Sequence, residues 1–503
     1  MRQTISVKGA RANNLKNIDV EIPRDQLIVI TGVSGSGKTS LAFDVIFGEG
    51  QRRFLESMSS YAKRRVSQIE KVDVDSVLGL SPVVAIEQKT GVHNPRSTIG
   101  TMTDIDSYMR LLFSTIGISY CPYCQQEVPI KTSNQIAERI LSLPEGTIVE
   151  ILAPVFKFYG EDYTYLFDDV REKGYRKIRI DGEMYNIAEK IILEETKEYQ
   201  IEVITDKFVV NKDIYQQLLT SIEDAIVVGN GFIHIEILNP EDLQTPLEEF
   251  FKDFACPTHH LLMKELFPFY FSPNSPESAC PTCLGLGTYL KAESFLLIKN
   301  KNKSINQGAL DLGTPRAMYG LVKHYGFSLD TPFKDLPPDI VDIILYGTKG
   351  EKFVYIQPDH LKWRPYKEGQ LITFEGYINR IDRIYRHNRK KGKIDTANYN
   401  WFKKHMVERI CPDCQGKRLK KQRFQVKLNG KTIYELGEMP LNRLNDFLHN
   451  LVIPLGKEVV GQQILNEITK RVLLLLDIGL DYLNLNRKAE TLSGGENQRI
   501  RLS

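Results

Sequence analysis

Long apolar runs are missing from this sequence of 503 residues. None approaches the roughly 18 to 20 residues that span a bilayer, which argues against a membrane protein. Met1 to Gln26 carries charges throughout and lacks the apolar stretch of a secretory leader, so the expected compartment is the cytoplasm. An excess of one charge is missing too. The 66 basic and 63 acidic residues leave a net of +3, and 42% hydrophobic with 26% charged residues excludes wholesale disorder. There is no long internal repeat and no low-complexity tract. Cysteine is scarce at seven, an odd number. Six form the Cys-x-x-Cys pairs Cys121/Cys124, Cys280/Cys283 and Cys411/Cys414, with Cys256 left over, and in a reducing compartment that spacing suggests metal before disulfide.

The length suggests about three to four domains. Residues 1–120 read as an α/β nucleotide-binding lobe, with strand-like Ile5-Ser-Val-Lys8 and the apolar run Gln26-Leu-Ile-Val-Ile-Thr31 leading into a glycine-rich turn and a helix from Thr39. Residues 131–250 read as an α+β insert, 251–287 as a cysteine-bearing module, 288–400 as a second insert and 401–503 as a final block with helical periodicity around Ile468–Leu480. Near-neutrality conceals opposite charges. Residues 131–250 hold 12 basic and 24 acidic residues, a net of −12, whereas residues 380–423 hold 15 basic and 4 acidic, a net of +11.

Gly32-Val-Ser-Gly-Ser-Gly-Lys-Thr39 matches the P-loop pattern in full, between an apolar strand and a helix. Backbone N–H groups of Gly32, Ser34, Gly35, Ser36 and Gly37 would surround the phosphates of ATP, Lys38 would reach the β- and γ-phosphates, and the Thr39 hydroxyl, with Ser40 beside it, would face Mg²⁺. Leu492-Ser-Gly-Gly-Glu496 resembles the signature motif of ABC-type ATPases, and Ser493 with Glu496 also forms a helix N-cap box. Arg471-Val-Leu-Leu-Leu-Leu-Asp477 mimics a magnesium-holding strand but precedes the signature, so it is read as buried helix. The chain stops at Ser503 without the Asp, Glu and His expected after the signature, so it looks like a fragment whose ATPase activity needs a longer protein.

Cys256-Pro-Thr-His259, 20 residues ahead of Cys280-Pro-Thr-Cys283, has zinc-finger spacing and implies a closed, structural Cys₃His site. By elimination, Cys121/Cys124 and Cys411/Cys414 would form a second, Cys₄ site if the inserts loop out from a common base. Arg380, Arg383, Arg386, Arg389 and Lys390 fall at three- to four-residue spacing and would make one cationic helix face, suited to phosphate contacts with DNA.

Together these motifs resemble the UvrA family, the damage-recognition component of the ABC excinuclease, over the whole chain but only the N-terminal half of such a protein. The matching phrases include Leu41-Ala-Phe-Asp44, Glu49-Gly-Gln-Arg-Arg53, Asn94-Pro-Arg-Ser-Thr98, Arg179-Ile-Asp-Gly-Glu183, the Cys280 and Cys411 segments, and Leu492 to Leu502. The resemblance implies an ABC-type P-loop ATPase lobe with α+β and zinc-bearing inserted domains, acting in DNA-damage recognition in nucleotide excision repair. It implies that Gln88 is the Q-loop glutamine and that Ser493, Gly494, Gly495 and Glu496 face a second P-loop in the missing C-terminal half. It also implies that residues 131–250 dock UvrB through Lys177, Arg179 and Lys207, that residues 288–400 grip DNA, that the eight Cys and His ligands hold Zn²⁺ in the pairing above, and that the full-length protein is a homodimer. Thr39 in place of Ser, Asn497 in place of Ala and His259 in place of Cys depart from the family pattern, leaving open a UvrA-like paralogue in drug resistance or another non-repair role.

Overall fold

The computed structural model describes residues 3–56, 72–86, 94–157, 163–189, 191, 193–194, 197–243, 246–312, 317–356, 366–390 and 396–502. They fall into two compact units, residues 1–93 with 490–503, and residues 94–489. Residues 94–120, read from sequence as the end of the nucleotide lobe, pack within the second unit.

In the first unit the strand Thr4–Ala10 pairs antiparallel with Ile18–Pro23 on one side and Ser76–Leu78 on the other. Val7, Ala10, Leu41, Val45 and Val77 close a small core beneath this sheet. The run Gln26–Thr31 departs from expectation: it joins no ladder among the described residues, and Leu27 and Val29 are 94% and 73% exposed. Such an uninterrupted apolar run is the pattern of a strand covered on both faces, a covering the described residues do not supply. The helix expected from Thr39 is present, as a π-helical stretch Ser40–Phe47 continued by the α-helix Gly48–Glu56.

The second unit carries two inserted bodies. The first is a seven-stranded sheet in the order Ile130–Lys131, Leu261–Lys264, Phe232–Ile237, Ile148–Val155, Ile201–Val209, Lys177–Ile180, Glu183–Asn186. All its pairings are antiparallel except the first. Alternation sets its faces: Val149, Ile151, Ala153, Val203, Ile233 and Ile235 are buried on one side, where helix Tyr215–Val228 inserts Leu218, Ile222 and Ala225. The second body has its own core around Phe353, Tyr355, Ile344, Leu321, Tyr377 and Phe402. Strands Thr288–Ala292 and Met406–Ile410 pair antiparallel as its stem. Arg471–Asp477 lies in the helix Glu458–Asp477, as its spacing indicated, but only Val472 and Leu475 are buried, and Leu473 and Leu474 are 42% and 39% exposed because a single helix face meets the core.

Candidate functional site

The phosphate loop is held by backbone conformations that favour glycine. Gly32, Gly35 and Gly37 have φ of 153°, 78° and 90°. A Cβ on Gly37 would stand 2.6 Å from Leu15 Cδ2, so Ala there would be both strained and clashing. Lys38 lies across the loop and donates to the Gly32 and Val33 carbonyls at 2.8 and 2.7 Å. Asn14 clamps the loop from outside through the Gly35 carbonyl, and Asn13 bonds Ser40 Oγ and Asp44 at 3.1 and 2.7 Å. The arrangement leaves a lysine that can exchange two loop carbonyls for phosphate oxygens. Gln88 lies outside the described residues.

Ser493 caps the helix Gly494–Ile500. Its Oγ accepts from the Glu496 N–H at 3.3 Å while Glu496 Oε2 accepts from the Ser493 N–H at 2.7 Å. Gly494 and Gly495 have open space where a Cβ would be.

The eight sulfur and imidazole donors form two groups, and the partners differ from those expected by spacing. Cys121, Cys124, Cys256 and His259 come together, as do Cys280, Cys283, Cys411 and Cys414, with the donor atoms of each group within 4.8 Å of one another. The physical reason is that strand pairing returns each insert to its own base. The 288–292 and 406–410 strands carry Gly287 back to Cys411, whose N–H donates to the Gly287 carbonyl at 2.9 Å. Parallel pairing of Ile130–Lys131 with Met263–Lys264 likewise returns Cys256 to Cys121. Each group therefore joins the two knuckles that flank one insert. All four knuckles share one backbone feature: the residue after the second ligand, Gln125, His260, Leu284 or Gln415, has φ of 59°, 49°, 50° or 49°.

The donor sets fit zinc. Four ligands at Zn–S distances of about 2.3 Å place sulfurs about 3.8 Å apart in a tetrahedron, and the measured separations are 3.4 Å for Cys124–Cys256, 3.8 Å for Cys280–Cys411 and 3.6 Å for Cys283–Cys414. Burial raises the Cys121 thiol to about 12, whereas hydrogen bonds from Cys280 and then the other thiols, with the Gly287 N–H behind them, favour the Cys283 thiolate. The Asn94-Pro-Arg-Ser-Thr98 phrase supports the second group, because Arg96 donates to the Leu284 carbonyl at 2.7 Å.

On the sheet face opposite its helix, Arg179 and Glu202 are direct cross-strand partners. Arg179 donates to Glu202 Oε2 at 2.6 Å, ion-pairs with Glu236, and approaches His234 Nδ1 at 3.1 Å, while His234 Nδ1 meets Glu202 Oε1 at 2.7 Å. Only 13% of the Arg179 side chain is exposed. Burial would raise Glu202, but the hydrogen bond and charge of His234, then Arg179, hold its carboxyl at about 2. Arg179 thus serves the interior of the insert, whereas Lys177 and Lys207 remain exposed on its strands. Glu202 and His234 belong to no motif; the signal available in the sequence was a Glu and a His facing inward at strand positions otherwise filled by aliphatic residues.

In the second insert, helix Tyr377–Lys390 buries Ile378, Ile381 and Tyr385 and turns Arg380 and Arg383 outward, as one cationic face requires. Arg383 is bidentate to Glu375 at 2.6 and 2.9 Å. The side chains of Arg386, Arg389 and Lys390 lie outside the described residues.

Residues 131–239 match the family model of the UvrA interaction domain, and residues 294–393 that of the UvrA DNA-binding domain. UvrABC system protein A of Clostridium tetani is 40% identical over 519 residues, covering 100% of this chain and 53% of that protein. Along its whole length the chain is similar to UvrA proteins. UvrABC system protein A of Bacillus subtilis is 41% identical, covering 99% of this chain and 52% of its own length. The chain thus spans about half the length of the UvrA relatives it matches. The crystal structure of UvrA2 from Deinococcus radiodurans superposes with a TM-score of 0.51 at 24% identity, covering 99% of this chain and 46% of that one, which shows a shared fold. No helix among the described residues is long and apolar enough to cross a membrane.

Proposed function

We propose that this chain forms the N-terminal half of a cytoplasmic DNA-damage-recognition ATPase of nucleotide excision repair. The observation that carries this reading is that one chain holds a P-loop, an ABC-type signature helix and two UvrA-type inserts, each mounted on its own Cys/His stem. ATP is held by the loop Gly32–Thr39 with Lys38 on its phosphates and Thr39 toward Mg²⁺, and the nucleotide is completed by a signature motif from the C-terminal half of the protein. Ser493–Glu496 serve the second P-loop of that half in return. The full-length protein is a homodimer.

Zinc in both clusters is structural: four protein donors leave no open position for substrate. Insert 131–250 offers Lys177 and Lys207 to an acidic face of a UvrB-like protein, with Arg179 holding those strands in register. Insert 288–400 presents Arg380 and its helix neighbours to DNA phosphates, a sequence-independent contact suited to reading lesion-induced shape and deformability.

The test is duplex binding by the full-length protein, with and without one bulky adduct, from about 50 to 200 mM salt. Damage recognition predicts tighter binding to the adduct at each salt concentration and a fall in affinity of at least tenfold across the range. Equal binding to both duplexes, with no capture of a UvrB-like protein, would transfer the chain to the non-repair paralogues.

A further inference from the structure

Within the 94–489 unit, a cavity of about 640 Å³ opens between helix Tyr163–Glu172, the end of helix Tyr215–Val228 and the segment Lys420–Arg423. That size suits a small-molecule site. Its floor is cationic. Arg423 is 3% exposed, its guanidinium 3.4 Å above the centre of the Tyr270 ring. It donates to the Asn230 and Glu277 carbonyls at 2.6 and 2.8 Å, while its Nε is buried without an acceptor. Lys420, three residues earlier, donates to Asn230 Oδ1 at 2.6 Å. Neither cation has a direct carboxylate partner among the described residues, whereas Lys173, also in the lining, is bonded to Asp169 at 2.8 Å.

A buried guanidinium and a partly buried ammonium side by side, neither in a direct ion pair and only distantly offset by Glu277 and Asp169, carry a desolvation and repulsion cost that a bound anion would reduce. Lys420 registers that cost: burial first, then Arg423 and Lys173, pull its ammonium from 10.5 to about 8, against a weaker opposing pull from Glu277 and Asp169. Above the cations the walls are apolar. Phe267 and Phe269 stack with ring centroids 5.5 Å apart and planes within 4°, and each remains about two-fifths exposed, at 41% and 44%. The exposed Glu172 and Glu277 line the same opening. These rim carboxylates oppose a dianion such as phosphate more strongly than a single carboxylate.

We propose that this cavity binds a small aromatic or apolar monocarboxylate, with the carboxylate on Lys420 beside Arg423 and the flat body along Phe267 and Phe269. The site is independent of the repair reading, since it uses neither the P-loop nor the basic helix.

The test uses the whole protein and 2-naphthoate as probe, followed by calorimetry or ligand-observed NMR. Saturable binding is expected, with 2-naphthamide, the neutral counterpart, at least tenfold weaker, and inorganic phosphate unable to displace the probe. Lys420→Met should lower affinity at least tenfold, Lys420→Arg should keep it within about threefold, and Lys38→Ala should leave it unchanged. Binding should weaken as pH rises past about 8, where the Lys420 ammonium loses its proton while the carboxylate stays ionised. Equal binding of acid and amide by the unmodified protein would overturn the proposal without any variant having to fold. So would equal affinity in Lys420→Met, displacement by equimolar phosphate, or no saturable binding up to about 10 mM.

Discussion

The two donor clusters are built alike and do different physical work. In each, two knuckles about 130 positions apart close on one insert; Cys124 and Cys256 are 132 positions apart, and Cys283 and Cys414 are 131. The Cys280 group is four thiols, all buried, with the Gly287 N–H on Cys283 at 3.2 Å and Asp413 3.3 Å from Cys280. The Cys121 group is three thiols and an imidazole, with Cys124 and His259 only partly buried, and the His259 ring packs 5.3 Å from Tyr123. Four thiolates bring one more negative charge than three, and they bring it into a drier place. Arg418, itself largely buried and lowered chiefly by that burial, stands within electrostatic reach of Cys283 and Cys414. The difference teaches that equal ligand spacing does not mean equal dependence on metal: four buried thiolates that lose their cation must take up protons in a dry place, where hydrogen bonding with the other thiols and then burial push Cys280 and Cys414 upward.

The sharpest test of that contrast is to remove one ligand from each cluster. Cys411→Ser should reduce zinc from two to one per chain and open the stem Thr288–Ala292 with Met406–Ile410, a loss of several kcal/mol given the roughly 10 to 16 kcal/mol apparent binding of structural zinc. Hydrogen exchange on that strand pair reads it directly. Cys124→Ser should also release one zinc but leave the seven-stranded sheet protected, because that sheet has an extensive ladder of its own. Equal loss of protection at both stems would erase the distinction.

Next in size is the charged network of the first insert. Arg179→Met should cost about 3 to 5 kcal/mol in denaturant unfolding, because Glu202, 2% exposed, is left buried with its charge only partly met. Lys177→Glu and Lys207→Glu should leave stability within about 0.5 kcal/mol and abolish capture of the UvrB-like partner. The same network predicts an acid limb. Glu202 is held near 2, below its ordinary 4.5, so its contribution is complete above about 4.5 and is lost as pH falls toward 2. The linked loss is on the order of 3 kcal/mol, and Glu202→Gln should flatten it.

Much of this was legible in the residues alone. The P-loop, the capped signature helix, the helical Arg471–Asp477 and the outward turn of Arg380 and Arg383 all follow from local pattern. The eight donors were identifiable too, but not their partners, because pairing by short spacing ignores that an insert returns to its own base. The useful signal was topological: each insert lies between two knuckles. Arg179 shows a different limit. The resemblance places it among the partner-docking positions, and only its cross-strand register with Glu202 shows that it also faces a buried carboxylate. The strand expected at Gln26–Thr31 depends on neighbours that a local pattern cannot supply.

The smallest effect expected is also the most specific. His259→Cys converts the Cys121 group into a second tetrathiolate. The backbone already suits it, since His260 after the ligand has φ of 49°, against 50° and 49° for Leu284 and Gln415 after true thiol ligands. Two zinc ions per chain should therefore be retained. Loss of the Tyr123–His259 ring contact should cost about 0.5 to 1.5 kcal/mol. The added negative charge would fall near Glu202, which lies within electrostatic reach of His259. The acid limb assigned to Glu202 should consequently move to higher pH, because a new anion makes its carboxylate harder to keep ionised. A variant that lost one zinc would show that the imidazole is required by its surroundings and is not simply a fourth donor. An unmoved acid limb would show that the cluster and the Arg179–Glu202–His234 network are electrostatically separate.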